Sequence, residues 1–345
     1  MPPATASTTP ERRFAALAHT LRREVFGLVG LALLALAGLP GCAHDGRGSV
    51  VIERELGVMG THLALRIGAP TRAQALAASE AAVRAVEAAE ARLSNWRADS
   101  ELARLVDASA PSSSELATSP QLAADLAALA PCAARVAGAF DPTVASPGRG
   151  PHGAIDSGGF GKGRALDLAL AAARAHGATT VELDLGGQTA RLVDGAAGDT
   201  PSDVQLADPR DRSRAVVAVN TAFASAATSC QSERAGHVVD PATGAAVPFD
   251  GALTVFANDA LLADVLSTGL FVLGRERALE LAELHGDFEV LVLEPTGSGL
   301  RVHTSAGLVG RVRALAADVS IAPAAAVVDR DEHQQHAAPI AGALR

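Results

Sequence analysis

The sequence predicts an α+β fold, and three observations carry that prediction. Runs of period two and runs of helical period are mixed along the chain without a regular strand–helix–strand repeat. Strand-like runs adjoin one another across short turns, as around Gly186–Gly187 and in the late pair "FEVLVLE" and "LRVHTS", which calls for antiparallel pairing. The 345 residues are 48% hydrophobic, ample for a sizeable core.

The elements follow in order. Arg12, Arg13, Arg22 and Arg23 precede an apolar run from Val25 to Leu39, and Cys42 follows directly in "LPGC". The run is too short for a comfortable membrane span. Residues 1–41 are therefore expected to be a signal peptide and Cys42 a lipidation site, which places the mature chain on the periplasmic face of a bacterial membrane. An uncleaved anchor or an unlipidated secreted protein fits the same residues. Residues 42–49 read as a tether and 50–320 as the folded domain. Residues 321–345 lack periodicity and read as a disordered tail. Within the domain, "VIERELGVMG" and "THLALRI" alternate as strands, with Leu63, Leu65 and Ile67 on one face. Residues 71–93 carry Leu76, Val83, Val86 and Leu93 at helical spacing. Further helices are expected over roughly 115–138, 164–176 and 259–285, the last broken at Gly274. "TVELDL", "ARLVD", "RAVVAVN" and "ALTVFA" read as strands, and "FDPTVASPGRGPHG" as loop.

The formal charge of −9, with no basic block, argues against a nucleic-acid partner. Cys132 and Cys230 remain beyond Cys42, either as a disulfide or as two free thiols.

The stretch "AIDSGGFGKGRALD", residues 154–167, holds Lys162, the single lysine of a chain with 29 Lys and Arg. It fails as a P-loop, because Asp156 stands at the first glycine position and Gly163 at the hydroxyl position. Gly158, Gly159, Gly161 and Gly163 nonetheless leave backbone N–H groups uncovered ahead of a helix, a setting that suits an anion, and Lys162 adds a full charge. A glycine-rich turn with a solvated lysine fits the same letters. Asp264 and Thr268 lie four apart on one helix face and offer two hard oxygens, suited to magnesium or calcium. His237 in "GHVVDPATG" and Trp96, the sole Trp, read equally as structural residues or as parts of a site.

Taken in order, "MGTHLAL", "LSNWRADSELARL", "FDPTV", "DSGGFGKGRALD", "LDLGGQ", "ADP", "TSCQSE", "HVVDPATG" and "ADVLSTGLFVLG" resemble the successive motifs of the ApbE family over about 50–275. The resemblance implies two lobes of mixed helices and antiparallel sheet with a flavin groove between them. It implies Mg2+-dependent (or Ca2+-dependent) transfer of FMN from FAD to a threonine hydroxyl, with release of AMP. The acceptor would be the flavin subunit of a membrane or periplasmic redox complex. On that resemblance Met59 and Trp96 border the flavin or adenine, and Lys162 and Gly159 lie near the pyrophosphate. Asp264, Thr268 and a carbonyl near Gly161 hold the metal. His237 acts as base or orients the threonine, while Asp141 and Gly186–Gly187 shape the pocket. The chain departs from the family pattern in a short connection at 144–154, in Cys230 and Gln188, in Gly161 before the lysine, and in lacking an aromatic before "ADP". Two other readings share these residues: a FAD-binding assembly lipoprotein without transfer, and a hydrolase that splits FAD into FMN and AMP.

Overall fold

A computed structural model describes residues 49–105, 118–144, 155–192, 201–232 and 235–323. The expected signal peptide, Cys42 and nearly all of the 42–49 tether lie outside the described residues, as do most of the 144–154 connection and residues 324–345.

The strands β1 (Val50–Val58), β2 (Thr61–Ala69), β3 (Thr180–Leu185) and β4 (Gln188–Leu192) form an antiparallel half-sheet. It continues through β7 (Ser225–Cys230), β8 (Ala252–Ala257), β9 (Phe288–Thr296) and β10 (Gly299–Thr304) to β12 (Val319–Ile321), which pairs parallel to β10. The two expected lobes are thus the two halves of one nine-stranded sheet. The halves join at only two residue pairs, Thr189–Ala226 and Ala190–Ser225, and the Ser225 hydroxyl donates to the Thr189 carbonyl at 2.6 Å. A second sheet, β5 (Ser202–Asp208), β6 (Asp211–Thr221) and β11 (Val312–Ala314), packs apolar side chains against those of β8, β9 and β10. β5, β7, β11 and β12 were not legible as strands. β5 has only Val204 and Leu206 as large apolar residues, and β7 is made of Ser, Ala, Thr and Cys.

Helices α1 (Arg72–Leu93) and α4 (Gly161–Ala175) cover the β1–β4 half. Helix α1 buries Ala75, Ala78, Ala82 and Ala89 more than the expected Leu76 and Val83, which are half-buried. Against Ala165, Ala169 and Ala173 of α4, that alanine face lets the two helices approach closely. Helices α3 (Pro120–Ala133), α5 (Ala260–Leu273) and α6 (Arg275–His285) cover β8 and β9, with a short α2 (Glu101–Arg104) between α1 and α3. The expected break at Gly274 is present, at φ +82°. The helix expected over 115–138 is shorter, because Ser119 caps it and Pro120 opens it. Asp125 of α3, 2% exposed, accepts from Arg92 of α1 (2.9 Å) and Arg164 of α4 (2.8 Å), and so ties the two helix groups together.

Both Cys132 and Cys230 are free thiols. Burial, followed by the charges of Asp259 and Asp167, pushes the Cys132 thiol up to about 11 and leaves it unreactive. No helix among the described residues is long and apolar enough to cross a membrane.

Candidate functional site

The site is built where α4 and α5 begin, above the narrow join of the two half-sheets. Helix α4 starts at Gly161, three residues earlier than the sequence suggested, so Lys162 and Gly163 lie in its first turn. Its entry is a tight turn in which the N–H groups of Phe160 (3.2 Å) and Gly161 (2.7 Å) both donate to the Ser157 carbonyl. The glycines therefore serve packing as well as exposure of the backbone. A Cβ on Gly163 would lie 2.3 Å from the Ala260 carbonyl oxygen and 2.8 Å from Cβ of Asp264. A Cβ on Gly159 would lie 2.8 Å from the Phe140 ring and 2.9 Å from Oγ1 of Thr268. Only small residues let the 157–163 turn sit this close to α5.

Asp264 is 5% exposed, and its Oδ2 accepts the Gly163 N–H at 2.9 Å. That donor is one of the orphan N–H groups of the α4 N-terminus, so the carboxylate meets the positive end of a helix. Burial raises the Asp264 carboxyl above the usual carboxylate range, while the Lys162 charge and the Gly163 N–H pull it back. One turn on, Thr268 donates its hydroxyl proton to the Asp264 carbonyl (3.2 Å), which leaves its oxygen able to accept. The Ser229 hydroxyl stands 3.4 Å from Thr268 Oγ1 and 2.9 Å from Ser267 Oγ. No group of three or more His, Cys, Asp and Glu able to hold a metal occurs among the described residues. Any cation here would be held by one carboxylate with hydroxyl and carbonyl oxygens. That is a hard donor set, and it fits magnesium or calcium rather than a transition metal.

The remaining candidates surround this core. Trp96 is 58% exposed, on a turn where the Ser94 hydroxyl accepts the N–H groups of Trp96 and Arg97, each at 3.2 Å. An indole at this exposure is not a core plug. Met59 sits in the β1–β2 turn at φ +53°, donates its N–H to Glu90 Oε1 (2.9 Å), and has its methyl 3.6 Å from where a Gly161 Cβ would stand. Gly186 and Gly187 form the β3–β4 turn at φ +65° and +89°. Gly186 packs on Thr61, and its carbonyl accepts from Arg212 at 3.2 Å. The Asp141 carboxylate is spent within its own loop, on the N–H (2.8 Å) and hydroxyl (2.7 Å) of Thr143. That loop still reaches the site through its backbone, as the Pro142 carbonyl accepts the Asp156 N–H at 2.6 Å. His237 is half-buried at the head of a small hairpin closed by the Val239–Ala246 bridge. Gln231, two residues beyond Ser229, clamps that hairpin by donating to the carbonyls of Val238 (3.0 Å) and Val247 (3.1 Å). β7 and its continuation thus carry both Ser229 and the anchor of the His237 hairpin.

Two residues here went unread in the sequence, and a third, Gln188, was read only as a departure from the family pattern. Asn95 is 2% exposed and bonded to the 155–157 loop; its one signal is its place beside the sole Trp. Gln188, 3% exposed, donates to the Ala260 carbonyl (3.1 Å), and its Oε1 has no partner among the described residues. Asp167 caps α5 by accepting the N–H groups of Ala260 (2.8 Å) and Leu261 (2.9 Å). Burial and then the neighbouring Asp259 push the Asp167 carboxyl up to about 7, against the pull of those two N–H groups. The folded state therefore binds this proton more tightly than the unfolded chain, whose Asp titrates near ~3.9. Stability from this group is full below about pH 4 and is lost as pH rises through about 7. Asp167→Asn is expected to flatten the dependence of melting temperature on pH between those limits. Equal slopes in wild type and variant would discard the assignment.

Comparison with known proteins adds the following. The model of the ApbE family matches residues 59–149 and 147–292, two segments that meet within the short connection. The FAD:protein FMN transferase of Treponema pallidum (strain Nichols) is 30% identical over 178 residues, 47% of this chain and 48% of that protein. The match thus spans about half the length of that curated relative. The Pseudomonas stutzeri flavinyl transferase ApbE in its apo form superposes with a TM-score of 0.59 at 20% identity, covering 76% of this chain and 97% of that one. The flavin transferase ApbE from Vibrio cholerae gives 0.57 at 20% identity, covering 76% and 99%. At this identity the two structures speak to the fold, and they agree with mixed helices on antiparallel sheet.

Proposed function

The chain belongs to the ApbE family, and on that premise we propose that it transfers FMN from FAD to a threonine hydroxyl of a partner redox protein, releasing AMP. The observation that carries the reading is the meeting of Lys162, the first turn of α4, Asp264 and Thr268 at one place, with the exposed Trp96 joined to the turn before α4 through its neighbour Asn95. Attack on a pyrophosphate needs positioning and charge neutralisation more than covalent help. Trp96 offers a π face to the isoalloxazine or adenine ring. Lys162 and the α4 N-terminus face the negative phosphates. Asp264 and Thr268, with the Gly161 carbonyl, would hold Mg2+, which when bound supplies further neutralisation of phosphate charge. The threonine oxygen bonds to the FMN phosphorus, the bond to the AMP oxygen breaks, and His237 takes the hydroxyl proton or orients that hydroxyl. We further propose, from the sequence alone, that the mature chain is lipid-anchored through Cys42 at the periplasmic face of a bacterial membrane.

Incubating the protein with FAD, magnesium and a peptide bearing an acceptor threonine tests the reading. A flavinylated peptide is expected. Free FMN would mark a hydrolase instead, and unchanged FAD a binding protein. In the same assay Lys162→Gln removes the charge, and Lys162→Arg places a planar fork among glycines that leave little room. Each is expected to lower turnover by about tenfold or more. A fully active Lys162→Arg protein would remove Lys162 from the phosphate site.

A further inference from the structure

Trp96 and the glycine loop are separated by about sixty residues in sequence, yet one buried side chain joins them. Asn95 Nδ2 donates to the Ile155 carbonyl at 2.7 Å. Asn95 Oδ1 accepts both the backbone N–H and the hydroxyl of Ser157, each at 2.8 Å. Ser157 is the residue on which the α4 entry turns, since its carbonyl accepts the N–H groups of Phe160 and Gly161. Its side chain also lies beneath Gly161, with Cβ 3.3 Å from where a Gly161 Cβ would stand.

The Trp96 side of the clamp is equally fixed. Ser94 caps the turn that presents the indole, and the Ser100 hydroxyl donates to the Ser94 carbonyl at 2.5 Å. Five residues before Asn95, Glu90 of α1 holds the Met59 N–H at 2.9 Å. The end of α1 thus gathers three separate backbone segments: its own Trp96 turn, the Met59 turn and the 155–157 loop.

We propose that Asn95 is a positioning residue for FAD: it sets the distance between the Trp96 ring and the phosphate-facing first turn of α4, so that the ring system and the pyrophosphate of one molecule are met together. The inference rests on the transferase reading and names a residue which that reading does not use. A buried amide fully bonded across two segments rigidifies both of them. Presenting two halves of a substrate site in fixed register removes an ordering cost that each binding event would otherwise bear.

Trp96 is the only Trp and the chain has no Tyr, so intrinsic fluorescence reports on this one side chain. FAD titration is expected to quench it in wild type. Asn95→Ala is expected to raise the Kd for FAD by about tenfold or more, and to speed amide exchange at Ser157, whose N–H loses its acceptor. Ser157→Ala keeps that backbone bond and loses only the hydroxyl, so a smaller rise is expected. The double variant should bind no more weakly than Asn95→Ala, because the two residues act through one contact. If Asn95→Ala does not fold, the Ser157→Ala rise carries the test. Faster exchange at Ser157 with an unchanged Kd would make Asn95 merely structural and overturn the proposal. Absence of any FAD-dependent quench in wild type would instead bring down the transferase reading, and this inference with it.

Discussion

Asp264→Asn is expected to cut the proposed magnesium-dependent FMN transfer by about a hundredfold or more, the scale on which loss of a charge that holds a catalytic cation acts. The substitution keeps the shape of the side chain and removes its charge. An amide oxygen can still accept the Gly163 N–H, so α4 and α5 should stay in register. Stability should hold or rise slightly, because burial already penalises the ionised carboxyl. A second readout needs no FAD. Magnesium that binds only the folded protein raises the melting temperature, by the equivalent of about 2.7 kcal/mol at a hundred times its Kd. That increment should vanish in the variant. Undiminished transfer and an undiminished magnesium effect, together with a changed melting temperature in metal-free buffer, would make Asp264 a structural cap of α4 and discard it as a ligand.

What the sequence revealed of this site follows from the kind of information each residue carries. Asp264 and Thr268 could be paired on paper because helical spacing is local. The α5 helix that aligns them is expected from its own composition. Lys162 stood out because the chain otherwise uses Arg. The β3–β4 turn was legible because adjacent glycines at positive φ have few other uses between two strands. The contacts made by Asn95, Gln188 and Asp167 were not legible, since each acts on a segment between 60 and 93 residues away. The short β12 and the two-pair join between β4 and β7 escaped for the same reason: their partners are remote and their composition is ordinary. The resemblance implied two lobes of mixed helices and antiparallel sheet, and that mixture is what the structure has. It could not reveal that a single sheet runs beneath both.

The glycines of 157–163 show how one pattern can carry two meanings, and Gly163→Ala separates them. In the sequence they read as a backbone laid open to phosphate. In the structure Gly163 is buried, and an added Cβ would stand 2.3 Å from the Ala260 carbonyl oxygen and 2.8 Å from both the Ala260 carbonyl carbon and Asp264 Cβ. Those atoms are backbone and Cβ atoms of the first two turns of α5 and cannot swing aside as a flexible side chain would. The Ala260 carbonyl also accepts from Gln188, and its N–H is capped by Asp167. One methyl group would therefore have to push α5 away from α4 and strain both anchors. Overpacking of this kind costs about 3 kcal/mol, which lowers the melting temperature by roughly 6 to 12 °C in a domain of this class. The same displacement would draw Asp264 and Thr268 away from Lys162, so FAD affinity and magnesium dependence should fall in parallel with stability. Gly158→Ala is the contrast. That residue is exposed, and its nearest neighbour is the Asp156 carboxylate, 3.1 Å from the added Cβ. A loss of stability well under that of Gly163→Ala is expected there. Thermal melts and FAD titrations of the two variants beside wild type decide the matter. If Gly163→Ala melts with wild type and loses only FAD affinity, the glycine serves the ligand. If it loses both, as the geometry requires, close approach of the two helices is what places the charge of Asp264 beneath the α4 N-terminus.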